Sequence, residues 1–183
     1  MTYWGLDQTD QVTAWLAVTP ATTDNGCMRF VAGSHTDWAA HEDHYHPDNM
    51  LSRSQEISVK VSEEDAVDVE LKAGEISLHH GRMFHASHPN RTEDRRIGLA
   101  FRYITPSIRQ INLEGATAML ARGADNYGHF ELIDPPTSLF APEDIARLKK
   151  IFTAENLIYY QDAAYEKEPE PCFILRTNEL LFP

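Results

Sequence analysis

Cysteine is scarce in this 183-residue sequence, and what there is cannot staple a fold. Cys27 and Cys172 stand far apart with no C-x-x-C spacing, which argues against a disulfide framework and fits a reduced compartment, read here as cytoplasmic. Positive charge is also short. Lys and Arg number 16 against 28 Asp and Glu, a net charge of −12 that repels phosphate backbones and anionic lipid, so neither nucleic acid nor membrane is an expected partner. No apolar run approaches the ~20 residues of a transmembrane helix, and the opening "MTYWGLDQTD" lacks the basic-then-apolar order of a signal peptide. Internal repeats and low-complexity tracts are missing as well. Helical periodicity is nearly absent until Pro142 opens "PEDIARLKKIF", where Ile145, Leu148, Ile151 and Phe152 share one face.

What is there is a period of two. In "QVTAWLAV", Val12, Ala14, Leu16 and Val18 alternate with Thr13, Trp15 and Ala17, the pattern of a strand buried on both faces. Asn25-Gly26 is a hairpin turn signal before a short strand from Cys27 to Val31. A polar, His-rich loop follows from about Thr36 to Ser54. "EISVKV", "VDVEL" and "EISLHH" read as strands, the last two joined across Lys72-Ala73-Gly74. In "RRIGLAFRYI", Ile97, Leu99, Phe101 and Tyr103 alternate with Arg96, Gly98, Ala100 and Arg102. Strands dominate, and a hydrophobic content of 42% suits a single domain over 1–183, with its core in about 1–110 and a helix-bearing extension over 111–183. The acidic, Pro-rich stretch from Glu166 to Pro171 reads as a surface linker.

One stretch, "GRMFHASHPNRTEDRRIGLAFRY", is unlike an ordinary core strand or loop. His85 ends one apolar run and Arg96 begins the next. If those strands pair antiparallel, both side chains reach one end of a pocket that Gly98 and Ala100 leave open. A guanidinium fork beside an imidazole suits a small dicarboxylate next to a metal. A surface ion pair of Arg96 with Glu93 or Asp94 is the commoner use of such residues, and on these residues alone both readings stand.

Taken together and in order, "TYWGLD", "TAWLAV", "NGCMRFVAGSH", "LKAGEISLHH" and "FHASHPNRTEDRRIGLAFRY" resemble the phytanoyl-CoA dioxygenase family of Fe(II)- and 2-oxoglutarate-dependent oxygenases. The resemblance covers roughly Met1 to Gln110. It implies a mainly β fold, a double-stranded β-helix (jelly roll, cupin-like) with peripheral helices, whose mouth holds iron on two His and one carboxylate. In the family pattern a ligand His is followed two residues later by Ser, five later by Asn and eleven later by Arg. Those positions are His85, Ser87, Asn90 and Arg96 here, which implies His85 as an iron ligand, Arg96 and Ser87 as the holders of the distal carboxylate of 2-oxoglutarate, and Trp15 as a lining residue of that pocket. The implied activity is hydroxylation of a small-molecule metabolite, with Fe(II), 2-oxoglutarate and O₂ as cofactor and cosubstrates.

The sequence departs from the pattern at its start. The family's other two ligands come from a His-x-Asp motif placed just before "TYWGL", and here Met1 stands directly before Thr2, so the fold is expected to be incomplete at the N-terminus. His41 and Asp43 have the same spacing but follow "NGC" and "GSH", landmarks that the family motif precedes, and are read as loop residues along with His44 and His46. His35, His79 and His80 match no ligand position. "RGADNYGHFEL", with Arg122, Tyr127 and His129, either covers the pocket or forms a docking turn. Three alternatives share these residues: a halogenase of the same fold, decided by a residue with no counterpart here; a non-catalytic fragment; and a metal-free jelly-roll binding module.

Overall fold

The alternating run near the start becomes β1 (Gln11–Ala17), and the computed structural model, which describes residues 5–43 and 55–159, gathers the other strands around it. In chain order these are β2 (Met28–Val31), β3 (His41–Asp43), β4 (Gln55–Ile57), β5 (Ala66–Val69), β6 (Ile76–His80), β7 (His85–Ser87), β8 (Gly98–Ile104), β9 (Thr117–Ala118) and β10 (Glu131–Leu132). One helix, α1 (Pro142–Tyr159), follows. The described residues fall into two units, one over Leu6–Arg109 and one of Gly5 with 110–159. No helix among them is long and apolar enough to cross a membrane.

The first unit holds two three-stranded antiparallel sheets, β6-β1-β8 and β5-β2-β7, and the two-stranded β3-β4. From β5 onward the chain changes sheet at every step: β5 lies with β2, β6 with β1, β7 with β2 and β8 with β1. Two expectations fail here for one reason. Asn25-Gly26 does not close a hairpin, and the turn at Lys72-Ala73-Gly74 does not pair the strands on either side, because each turn hands the chain to the opposite sheet. The turn chemistry itself is as expected. Gly74 has φ +88°, Glu75 N–H donates to Lys72 O at 3.0 Å, and Gly74 N–H goes to Ala17 O at 2.8 Å. His85 likewise opens β7 rather than ending the strand before it, and β7 pairs with β2 rather than with the strand after Arg96. The strand expected over "EISVKV" stops at Ile57.

Face assignment follows from register. Trp15 lies opposite Ala100 and Ser77, Thr13 opposite Arg102 and His79, and Ala17 opposite Gly98. These residues form the inner face, which meets the other sheet where the Phe30 and His79 rings lie 4.7 Å apart. On the outer face Val12, Leu78, Leu99, Phe101 and Tyr103 are exposed, Leu78 to 72%, while Ala14 of β1 on that same face is buried.

Gly26 pins the loop that joins β7 to β8. Its φ is +78°, Cys27 N–H closes the turn on Thr22 O at 2.8 Å, and a Cβ on Gly26 would fall 2.4 Å from the backbone oxygen of His88. Arg91 N–H donates to Asp24 O alongside, at 2.9 Å. Gly26→Ala therefore meets both a left-handed backbone and a carbonyl that cannot swing away. We expect a loss of about 2–4 kcal/mol of stability, read as a lowered urea midpoint at unchanged slope.

In the second unit β9 and β10 pair in parallel, Glu131 opposite Thr117. The α1 start is tied down by Thr137, whose N–H and hydroxyl both donate to Asp144 Oδ2, at 2.8 and 3.0 Å. Residues Glu166 to Pro171 lie outside the described part.

Candidate functional site

His85 and Ser87 alternate on one face of β7, opposite Phe30 and Met28 of β2. The His85 ring is oriented by its own strand entry: Nδ1 lies 2.8 Å from Met83 O. A carbonyl can only accept, so Nδ1 carries the proton and Nε2 presents a lone pair. That is the tautomer a metal-binding imidazole needs, with its second nitrogen held by the backbone. The entry is fixed in turn by Ser34, whose hydroxyl donates to Val31 O at 2.7 Å and accepts Phe84 N–H at 2.8 Å. In "GSH" the buried serine does this structural work, a role that spacing alone gave no reason to assign to it.

Arg96 sits two residues ahead of β8, and its neighbours are clamped on both sides by Thr19. The Thr19 hydroxyl donates to Arg95 O at 3.1 Å and accepts Ile97 N–H at 2.8 Å. Arg95 and Ile97 then line an outer cleft with Thr92, Glu93 and Asp94, while Arg96 turns the opposite way, 5.4 Å from the centre of the Trp15 ring. Trp15 packs directly against Gly98, where a Cβ would come 2.0 Å from the ring. The missing side chain at Gly98 thus makes room for the indole, and the guanidinium of Arg96 lies over that same ring. Arg96 also acts on buried Cys27: burial pushes that thiol up, Asp68 and Glu70 push it further, and Arg96 opposes them. Asn90 is a loop-former. Its amide donates to Asp94 O at 2.7 Å, and its Oδ1 accepts Thr92 N–H at 2.8 Å.

The two histidines of "LHH" part ways. His80 Nδ1 accepts Arg82 N–H at 3.1 Å and its ring lies 5.4 Å from that of His35, so both serve the turn. His79 points inward, its ring 6.0 Å from His85. Burial first, then the neighbouring His85 and Arg102, lower its pKa to about 4. A folded value below the unfolded one means that the unfolded chain binds the proton more readily. Stability of the metal-free chain is present above pH 6.5 and is lost as the pH falls toward about 4. The ring is only partly buried, so screening reduces the effect to about 1–2 kcal/mol. His79→Gln should flatten this limb in urea titrations between those limits.

His41 and Asp43 lie on β3, in the separate sheet with β4. His44 and His46 fall outside the described residues. Tyr127 and His129, with rings 5.5 Å apart, belong to the second unit, where Asp125 Oδ1 accepts the N–H groups of Tyr127 and Gly128. Among the described residues no group of three or more His, Cys, Asp and Glu side chains is arranged to hold a metal ion.

Against known proteins, residues 1–98 match the family described as phytanoyl-CoA dioxygenase (PhyH). Two solved structures are similar along most of the chain: "non-heme monooxygenase; ThoJ apo", at 35% identity and TM-score 0.75, and "Non-heme monooxygenase, ThoJ-Ni complex", at 33% and 0.67. Each alignment covers 87% of this chain, and 57% and 56% of the respective structures, so the chain spans a little over half their length. A search of curated proteins finds no significant match.

Proposed function

Because the chain belongs to the phytanoyl-CoA dioxygenase family, we propose that it carries part of the active site of an Fe(II)- and 2-oxoglutarate-dependent dioxygenase that hydroxylates a small molecule. The observation that carries this reading is the 2.8 Å contact of His85 Nδ1 with Met83 O, which in the neutral ring assigns the proton to Nδ1 and leaves the Nε2 lone pair for a metal. The donor chemistry of His85 fits one position on Fe(II). The described residues offer no complete ligand set, so His85 is the one ligand assigned. When bound, the iron with 2-oxoglutarate and O₂ supplies the oxidising chemistry. The chain's own residues bind and orient. Arg96, seated on Trp15, offers a planar fork to the distal carboxylate of 2-oxoglutarate, and Ser87, on the His85 face of β7, adds a hydroxyl donor. Trp15 lines that pocket and excludes water from the ion pair. The chain's repeated exchange between two facing sheets supports the jelly-roll reading of the fold.

The test is an anaerobic Fe(II) titration with and without 2-oxoglutarate, followed by the visible charge-transfer band of the chelate. We expect weak iron binding that 2-oxoglutarate strengthens, loss of that gain in His85→Ala, and succinate production at background. Iron binding unaffected by His85→Ala would remove the assignment. Micromolar affinity with rapid succinate release would return His41 and Asp43 to the ligand set.

A further inference from the structure

We propose that the outer face of the β6-β1-β8 sheet is an interface, and that it is occupied by the same face of a second copy of this chain. The site reading above uses the opposite face, so the two stand or fall separately. Register lays the outer face out as a grid, three strands wide and three rows deep. Ile76, Leu16 and Leu99 form one row, and Leu78, Ala14 and Phe101 the next. His80, Val12 and Tyr103 close it, with the polar groups confined to that end. Beyond Leu16 the face continues into Val18 and Ile97, joined by Val18 N–H on Ile97 O at 3.0 Å. None of the nine grid positions carries an acid, a lysine or an arginine, in a chain where 24% of residues do.

Area and relief select the occupant. The large side chains of this face stand about half open to solvent, which leaves on the order of 600 Å² of apolar surface, at the upper end of what a monomer shows. Two copies stacked on it cover on the order of 1,000–1,200 Å², the lower edge of what a stable dimer needs. The relief complements itself. Ala14 is 7% exposed and forms the floor of a dip, with Leu78 standing on one side of it and Phe101 on the other. A two-fold axis parallel to β1 lets Leu78 of each copy enter the dip of the other, and the sheets then stack at roughly 10 Å, the usual separation of packed sheets. Such a contact closes at two copies. The net charge of −12 on each copy opposes association, but a face without charges lets two copies meet without pressing like charges together. Salt, which screens that repulsion, should therefore tighten the dimer, the reverse of its effect on an ion-paired interface.

Sedimentation equilibrium of the full chain is the test. With rising concentration the mass should climb from 20.8 kDa toward twice that and no further, with a micromolar dissociation constant that falls as salt is raised. Leu78→Asp, a change at an exposed position that folding should tolerate, is expected to weaken the dimer about tenfold or more, and Leu78→Met to keep it. Leu139→Asp is the control: Leu139 is 92% exposed but lies in the second unit, and its loss should leave association within about twofold. 2-oxoglutarate affinity should be the same in Leu78→Asp as in the unsubstituted chain, since the site faces the other way. A chain that stays at 20.8 kDa at about 100 μM in high salt overturns the proposal without any variant having to fold, and assigns the face to a different partner. Growth past two copies, or equal losses in Leu78→Asp and Leu139→Asp, overturns it as well, since either outcome means general stickiness rather than a paired face.

Discussion

Arg96→Lys is expected to weaken 2-oxoglutarate binding by about 1–3 kcal/mol, roughly five- to 150-fold, while iron affinity barely changes. Lysine keeps the charge but loses two features that the geometry uses: the paired donors that match a carboxylate and the flat surface that rests on Trp15, 5.4 Å from the ring centre. His85 depends on Met83 O and the Ser34 turn rather than on Arg96, which is why the metal side should be indifferent. Arg95→Lys is the matched control and should be nearly silent, because Arg95 faces the outer cleft with Glu93 and Asp94. Calorimetric affinities for the three proteins decide the matter. Equal losses at both arginines would mean that the carboxylate is held by charge in general and not by a seated fork.

Gly98→Ala should be as damaging, though it touches no ligand. The new methyl would sit 2.0 Å from Trp15, well inside contact, and the backbone beneath it is held in the β1–β8 ladder, so the indole must move. We expect about 1–3 kcal/mol of lost stability from overpacking and at least a tenfold loss of 2-oxoglutarate affinity, since Arg96 loses its platform. Pairing Gly98→Ala with Trp15→Leu separates the two effects. The double variant should recover much of the stability and none of the affinity. Full recovery of affinity would show that the indole is packing material and not a seat for Arg96.

How much of this was legible in the sequence divides along a physical line. The alternation of Gly98, Ala100 and Arg102 was readable because side chains switch faces every residue, and the helix from Pro142 because its start signal is local. The pattern of His85, Ser87 and Arg96 came from the resemblance to a family spacing, and their roles remain part of the proposal. The sheet exchanges were not. Asn25-Gly26 and Lys72-Ala73-Gly74 have turn chemistry that is the same whether the next strand returns alongside or crosses to a facing sheet, and only packing at a distance decides between them. The clamp on Arg96 was hidden for the same reason, since Thr19 and Ile97 are 78 residues apart in the chain. The exposure of Leu78 and Phe101 on the strands beside β1 could not be read either, because they have the composition of buried residues.

The central claim is that metal and 2-oxoglutarate meet at His85, between the two sheets. Paramagnetic broadening by Mn(II), recorded with 2-oxoglutarate present, tests this in one spectrum. The account predicts the strongest losses at His85, then at Phe30 and His79, whose rings lie 6.2 and 6.0 Å from it, with 2-oxoglutarate sharpening the pattern and Arg96→Lys blunting that response. Broadening centred on His41 and Asp43, with His85 spared, would contradict it.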